Sequence, residues 1–365
     1  MNQTEKYSIV LIPSLEPDNR LPVYVKKLEE YGLSHIVVVD DGSGDDYQNI
    51  FKELEDDGCT VLRHRVNQGK GLALKTGFRH IQENVSGYTC IVTADSDGQH
   101  APEDVYKLAK EGEIHPDALI LGVRDFKKAG VPAKSLIGNR VTSAVFSALY
   151  GKYLPDTQTG LRAFGPRLTD QMTSINGEGF EYETQVLITC IRSQIPVHTV
   201  PIQTIYEAEN GSTHFKAVRD SLKIIRILGA DFVKFLSSSL VCFFLDIGLA
   251  WVLLDVIRPY MQGKDFLRIM ITTAAARSIS IAANYLLNKT VVFKDKKGLD
   301  HSLTRYLALC VCNILLSAGG VYILHGALGF HEKMAKILCD GGLFLLGYQI
   351  QQRWVFSRAE GWFHE

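Results

Sequence analysis

The sequence predicts two domains of unlike class, an α/β doubly wound domain followed by an all-α transmembrane domain of four helices. Three observations predict this. Up to about Pro201, short β-branched runs alternate with charged helical segments, the pattern of a parallel sheet covered by helices. From Phe232 onward the apolar runs lengthen towards the roughly 20 residues that cross a bilayer core as helix. The mean hydropathy of +0.03 over 365 residues is therefore an average of two different regions. A formal net charge of −1 carries no basic bias and argues against nucleic acid as a partner.

Strands are expected at Tyr7–Ile12, His35–Asp40, Thr60–His64, Tyr88–Thr93 and Ala118–Gly122, with helices near 18–31, 45–57, 69–84 and 102–111. Ligands of doubly wound sheets bind beyond the carboxyl ends of the strands. The unusual residues sit there: Pro13 after the first strand, "DDGSGDD" from Asp40, "RVNQGKG" from Arg65 and "ADSDGQ" from Ala94. Four strand ends thus converge on one crevice.

Several phosphate and metal motifs fail at single positions. "GKGLAL" (69–74) and "GSGDDY" (42–47) lack the last small residue of a dinucleotide fingerprint, having Leu74 and Tyr47 there. Lys75-Thr76 follows Leu74 rather than the glycine of a phosphate loop. A calcium loop from Asp95 would need Gly and Glu where His100 and Tyr106 stand. What survives is a D-x-D arrangement, Asp95 and Asp97 followed by Gln99. Two carboxylates and an amide at a strand end suit Mg²⁺ or Mn²⁺, which take a few protein oxygens and complete their shell with phosphate and water. Such an ion would neutralise a diphosphate leaving group. The competing reading is the start of a helix, since Ala101-Pro102-Glu103-Asp104 is an ordinary first turn.

The seven cysteines are scattered and odd in number, so reduced thiols are expected rather than a disulfide framework. The polar start "MNQTEKYSIV" leads into a strand, and no cleavable signal peptide is expected.

Residues 7–215 resemble a family 2 glycosyltransferase of the GT-A fold, in particular the dolichol- or polyprenyl-phosphate sugar synthases. The matching pieces are "IPSLEPD" (12–18), "VVVDDGS" (37–43), "NQGKGLALKTGF" (67–78), "ADSDGQHAPED" (94–104), "GVRDF" (122–126), "DTQTGLRAF" (156–164) and "STHF" (212–215). The resemblance implies that Pro13 and Asp40 or Asp41 hold base and ribose, with Leu15 and Glu16 beside them. It implies that Lys70 approaches the diphosphate, that Asp95 and Asp97 handle nucleotide and metal, and that Gln99 completes the metal shell. The chain departs from the family at Leu15-Glu16-Pro17-Asp18, where Tyr-Asn-Glu is common, so Glu16 or Asp18 stands in for the usual acid. It departs again at Glu207-Ala208-Glu209, where relatives often carry an arginine.

Arg124, Arg140 and Arg162 are the candidates for the acceptor phosphate, because an arginine fork matches phosphate oxygens better than lysine does. Asp156 falls where the family places an acid near the acceptor, and Glu183 in "FEYET" either lines that pocket or faces solvent. A phosphate monoester has a second pKa near ~6 and needs little general-base help. Asp156 is therefore expected to orient the acceptor. The resemblance implies an inverting, in-line displacement that releases a nucleoside diphosphate.

In the back half, spans are expected at about 235–254, 269–287, 306–324 and 335–352 within a domain at 232–357, after a soluble domain at 1–213 and an interfacial helix at 214–231. A repeat supports the fourth span: "NYLLNKTVVF" (284–293) resembles "GYQIQQRWVF" (347–356), and "FVKFL" (232–236) resembles "LTRYL" (303–307). Two helical hairpins of equal orientation follow, similar to the GtrA-like membrane family. Basic residues from Lys216 to Lys234 and from Lys289 to Arg305 place the catalytic domain and both chain ends in the cytoplasm, at the plasma membrane. Arg277 and Asp340 occupy equivalent repeat positions and are expected to pair across the hairpins, which leaves Asp246 without a partner.

The favoured activity is transfer of one sugar, GDP-mannose and UDP-glucose being the reasonable donors, to a polyprenyl phosphate. The expected partners are the nucleotide-sugar, the lipid phosphate and the membrane, with homo-oligomerisation left open. A processive polysaccharide synthase should carry Q-x-x-R-W, but "QIQQRW" (349–354) has Ile350 where Gln is needed. A lipid carrier or flippase is the third reading, and the D-x-D site argues against it as the sole role.

Overall fold

The computed structural model describes residues 7–126, 133–203, 217–295 and 299–356, which form two units divided between Ile227 and Leu228. The first unit contains strands β1 (Tyr7–Ser14), β2 (His35–Asp40), β3 (Thr60–Arg63), β4 (Tyr88–Thr93), β5 (Leu119–Arg124), β6 (Arg162–Phe164) and β7 (Val197–Ile202). Its helices are α1 (Arg20–Glu30), α2 (Gln48–Asp56), α3 (Lys70–Asn84), α4 (Pro102–Ile114), α5 (Ala133–Tyr150), α6 (Pro166–Met172) and α7 (Glu181–Arg192). The strands form one sheet in the order β3-β2-β1-β4-β6-β5-β7.

The five expected strands form, and their apolar residues supply the core. Ile9–Ile12, Ile36–Val39 and Cys90–Val92 are buried on both faces, as a helix-covered sheet requires. The sheet is mixed rather than wholly parallel, because β6 runs antiparallel between β4 and β5. At three residues, "RAF" carries too little pattern to announce itself as a strand. Its register sets Arg162 beside both Thr93 and Leu121, so β6 brings the carboxyl ends of β4 and β5 to one site.

The second unit holds most of α8 (Ala217–Ile257), then α9 (Asp265–Leu287), α10 (Leu299–Gly326) and α11 (Glu332–Ile350). The segment expected as a separate interfacial helix is continuous with the first span inside α8. Among the described residues three helices are long and apolar enough to cross a membrane, Lys223–Tyr260, Asp265–Val292 and Ser302–Gly326. The fourth, α11, is helical over 19 residues but falls short of that standard, with Lys336 and Asp340 in it. The "STHF" motif, Glu207–Glu209, Lys216, Lys296 and Lys297 lie outside the described residues.

The two hairpins meet through the repeat itself. Each ends in a short π-helix, Asn288–Val292 after α9 and Gln351–Val355 after α11. Asn288 Nδ2 donates to Gln351 Oε1 at 3.0 Å, linking two repeat-equivalent residues 63 positions apart. Three positions earlier, Tyr285 and Tyr348 are both buried, and the equivalent Phe293 and Phe356 rings stack at 5.2 Å. "QIQQRW" thus belongs to this junction between the hairpins.

The expected Arg277–Asp340 pair does not form. Arg277 pairs instead with Asp246 at 3.1 Å, while Asp340 accepts from Ser317 at 2.6 Å and pairs with Lys336 at 3.1 Å. Asp246 and Ser317 occupy equivalent positions on α8 and α10, so each hairpin satisfies its own charge. Pairing inside a hairpin joins sequence neighbours in space, and this the offset between repeats cannot reveal. An unpaired charge at mid-span costs about 2.5–3.5 kcal/mol on insertion scales. Asp246→Arg and Arg277→Asp should therefore each lower the thermal unfolding temperature in detergent, and the double reversal should recover most of the loss. Reversing Arg277 with Asp340 should recover none.

Candidate active site

The crevice begins where β1, β2 and β4 end. Pro13 and Ser14 lie against Val39 and Asp40 of β2. The Asp41 N–H donates to the Ser14 carbonyl at 2.8 Å, and the Ala94 N–H donates to the Leu11 carbonyl at 3.1 Å. Pro13 is buried in the floor, Leu15 is half-buried, and Glu16 is exposed in the left-handed region at φ 50°. The Glu16 N–H donates to Ser43 Oγ at 2.8 Å, tying the first loop to "DDGS". Asp18 is occupied elsewhere: Arg20 grips its carboxylate at 2.7 Å and the Arg20 N–H donates to it at 2.9 Å, at the start of α1.

The two aspartates of "DDGS" build the crevice. Asp40 accepts the Ser43 N–H at 2.8 Å and the Gln48 amide at 3.3 Å. Asp41 accepts the Gln68 N–H at 3.0 Å and the Gly69 N–H at 2.7 Å, and it meets His64 Nδ1 at 2.8 Å. Both its oxygens are engaged, as are those of Asp40, and Asp41 shapes the turn before Lys70. Asp40 remains at the strand end beside Ser14.

Lys70 opens α3 between two glycines, and both are sterically required. A Cβ on Gly69 would lie 2.5 Å from the Glu178 carbonyl oxygen, and one on Gly71 would lie 2.6 Å from Tyr182 Cβ. The 178–182 segment packs that closely because Leu72 N–H donates to the Glu178 carbonyl at 3.0 Å. Glu181 accepts from the Glu178 and Gly179 N–H groups, and Lys223 of α8 pairs with it at 2.7 Å. This segment opens α7 and delivers Glu183 to the crevice. Lys70 Nζ then sits 2.6 Å from Asp95 and 3.0 Å from Glu183, with the Phe180 ring centroid at 5.7 Å.

The electrostatics follow from this cluster. Burial alone would pull the Lys70 pKa down, but the Asp95 and Glu183 carboxylates reverse that and raise it. Burial pushes Asp95 up, and Lys70, helped by His100 and Arg124, overcomes it and holds the carboxyl at about 2. For Asp97, burial and the neighbouring Asp95 charge act together and raise the pKa. Asp95 is thus a firm anion and Asp97 a reluctant one, a crevice short of positive charge.

A divalent cation fits this set. Among the described residues no three His, Cys, Asp or Glu side chains gather as a ready cluster. The D-x-D pair with the Gln99 amide instead offers the few hard oxygens that such an ion takes from protein when phosphate supplies the rest. There is room beside Asp95 because residue 160 is glycine, where a Cβ would lie 2.6 Å from Asp95 Oδ2. Thr93 fixes that glycine by donating to its carbonyl at 2.8 Å. Asp97 Oδ1 accepts the Gln99 N–H at 3.0 Å, which bends the loop. His100 was not legible as a site residue. It is buried, its Nδ1 accepts the Asp95 N–H at 3.2 Å, and its Nε2, which must then carry the proton, lies 3.9 Å from Asp95 Oδ2. Its only signal in the sequence is its place five residues after Asp95.

Arg124 and Asp156 form a fork-to-carboxylate pair. Arg124 Nε donates to Asp156 Oδ2 at 2.6 Å and its Nη2 to Oδ1 at 3.1 Å. Asp156 is 0% exposed while Arg124 is 23% exposed, so the acid is enclosed and the arginine is partly exposed. Asn139 of α5 secures the Asp156 loop by donating to the Pro155 carbonyl at 2.7 Å and accepting the Thr157 N–H at 3.2 Å. Arg140, next on α5, is exposed, and no contact among the described residues brings it to this pair. Arg162 also departs from expectation. It is 1% exposed, its Nε donates to the Thr159 carbonyl at 2.9 Å, and its Nη1 donates to the Glu183 carbonyl at 2.7 Å. The side chain points into the core from β6, so Arg162 braces the 159 loop and α7 rather than meeting an acceptor.

Sheet, crevice and acid pair together define a glycosyltransferase on the GT-A plan. The chain belongs to glycosyl transferase family 2, which residues 10–169 match, and residues 234–356 match the GtrA/DPMS transmembrane domain, which makes it a membrane protein. Over 222 residues it is 29% identical to the UDP-N-acetylglucosamine–dolichyl-phosphate N-acetylglucosaminyltransferase of Methanococcus voltae, covering 55% of this chain and 87% of that protein. Over 211 residues it is 31% identical to an uncharacterized protein of Methanocaldococcus jannaschii, covering 56% and 85%. Over 213 residues it is 27% identical to the polyprenol monophosphomannose synthase of Mycolicibacterium smegmatis, covering 56% and 79%. Among solved structures, glucosyl-3-phosphoglycerate synthase from Mycobacterium tuberculosis in complex with uridine diphosphate aligns with a TM-score of 0.47 at 19% identity, over 62% of this chain and 80% of that one.

Two substitutions separate shaping from chemistry. Gly160→Ala places a methyl against Asp95 and should cut sugar transfer at least tenfold with the unfolding temperature nearly unchanged. Asp41→Asn removes a charge from a turn of buried donors and should cost about 1–3 kcal/mol of stability, read by thermal unfolding.

Proposed function

We propose that this chain transfers one sugar from a nucleotide-diphosphate sugar to the phosphate of a polyprenyl phosphate at the cytoplasmic face of the plasma membrane, with inversion. The observation that carries the reading is the cluster of Lys70, Asp95 and Glu183 at the strand ends, on a chain that also has apolar spans. It is supported by relatives whose names specify dolichyl-phosphate and polyprenol acceptors.

Asp40 or Asp41 and the buried floor at Pro13 would take the nucleoside, with Leu15 and Glu16 along its edge. Lys70, held charged by its two acids, is the donor for the diphosphate oxygens. Asp95, Asp97 and Gln99 would hold Mg²⁺ or Mn²⁺, which when bound neutralises the departing diphosphate. The Arg124 fork, fixed by Asp156, presents N–H groups to the acceptor phosphate. An acceptor oxygen forms the bond to the anomeric carbon as the bond to the nucleoside diphosphate breaks, and the lone pair leaves with that group. The acceptor is mostly dianionic above its second pKa of ~6, so no residue need remove a proton.

The test supplies the purified full chain with Mn²⁺, polyprenyl phosphate and labelled GDP-mannose, UDP-glucose or UDP-N-acetylglucosamine in turn. One donor should give organic-extractable label, and Asp95→Ala with Asp97→Ala should lower that rate at least a hundredfold. An undiminished rate in the double variant would overturn the assignment. Arg124→Lys should raise the KM for the lipid acceptor about tenfold, since a bidentate contact is worth roughly 1.4 kcal/mol or more, and should leave the KM for the donor unchanged.

A further inference from the structure

The repeat that joins the two membrane hairpins also frames a cavity of about 170 Å³. All four helices contribute to its wall, which includes three repeat-related pairs. Phe235 and Tyr306 both line it, as do Ser239 and Cys310, and Asn284 and Gly347. Five further lining residues, Leu309, Asn313, Leu343, Phe344 and Gln351, all come from the second hairpin. Among them, Asn313 stands at the position where the first hairpin has Cys242. The first hairpin supplies one amide, Asn284, and the second supplies two, Asn313 and Gln351.

The wall contains no Asp, Glu, His, Lys or Arg. It is not built for a phosphate or a metal ion. Its polar atoms are amides, hydroxyls and a thiol, set among the aromatic rings of Phe235, Tyr306 and Phe344. Amides within apolar spans are costly unless they are paired. Asn284 Oδ1 is satisfied by Asn288 at 2.7 Å and Tyr306 at 2.8 Å. The half-buried Asn313 amide has no hydrogen-bond partner among the described residues. Neutral groups that both donate and accept, flanked by ring faces, match a molecule with many hydroxyls and an apolar C–H face. The volume equals that of about five or six waters at ~30 Å³ each, the size of one pyranose ring.

We infer that this cavity binds an uncharged hexose headgroup, with the Asn284, Asn313 and Gln351 amides reading its hydroxyls and the aromatic rings packing its C–H face. The inference rests on the proposed activity only for the natural ligand, which would be the sugar of the lipid-linked product.

The full chain in lipid nanodiscs is titrated with tritiated hexyl β-D-glucopyranoside, a water-soluble hexoside. Saturable binding of one molecule per chain is expected, displaced by hexyl β-D-mannopyranoside and not by hexanol. Asn313→Leu removes the free amide and Ser239→Phe fills the cavity from the other hairpin. Each should weaken binding at least tenfold with the unfolding temperature within a few degrees, and either suffices should the other misfold. Asp95→Asn with Asp97→Asn should bind as the unsubstituted chain does, even if sugar transfer is lost or was never present, which separates this site from the catalytic reading. The inference is overturned by no saturable binding above empty nanodiscs, or by equal displacement with hexanol, which marks an apolar void. Binding kept within twofold in the folded cavity variants, or lost in the aspartate variant, overturns it too.

Discussion

The contact between Lys70 and Asp95 is the constraint around which the catalytic unit is built. It joins the first residue of a helix to the end of a strand across a crevice, and it exists only because other residues make the approach. Asp41 curls the preceding turn, two glycines let the 178–182 segment lie against it, and Arg162 holds α7 by its Glu183 carbonyl. Burying a lone ion pair is weakly stabilising at best, since desolvation offsets the Coulomb gain. Here one lysine faces three carboxylates, and Arg124 is already committed to Asp156. Such a deficit of positive charge is poor design for stability alone. It suits a site that receives a cation.

The membrane unit follows the same logic by different means. Its two hairpins are repeats, yet their polar groups are not copied. Asp246 with Arg277 in one hairpin corresponds to Ser317 with Asp340 in the other, so the position is kept polar while the chemistry drifts. At the junction, Asn288 and Gln351 bind each other directly, and Ser238 and Asn284 complete the network. Hydrogen bonds between neutral amides hold the hairpins together where a charge would be expensive.

Much of this was legible in the sequence because it was local. Strands with β-branched runs, the aspartates at their ends and the 63-residue repeat offset all leave patterns along the chain. What escaped needed three dimensions. The strand Arg162–Phe164 is defined by the neighbours it slots between, and its register turned a supposed acceptor arginine into a core brace. The Arg277 and Asp340 spacing was real as a repeat signal and misleading as a contact, because equivalence places residues at like depth without making them touch. His100 sits in a short polar stretch before α4 whose partner, Asp95, only the folded loop reveals, and Glu183, left open between pocket and solvent by the sequence, is brought to Lys70 by the packing of α7.

The Lys70 cluster also bears on how the reaction would be driven. If transition-state charge develops on the departing diphosphate, donors already oriented and desolvated at folding need little reorganisation when it forms. Lys70 is such a donor, held charged by acids on two different elements. On the proposed reading, an arriving cation and diphosphate let Asp95 and Lys70 each exchange one partner for another of the same sign. The number of ion pairs is conserved in that exchange, so the desolvation cost of the lysine falls on folding and not on the chemical step. The glycines around Lys70 and beside Asp95 then serve one end: they keep open the space into which both partners are exchanged.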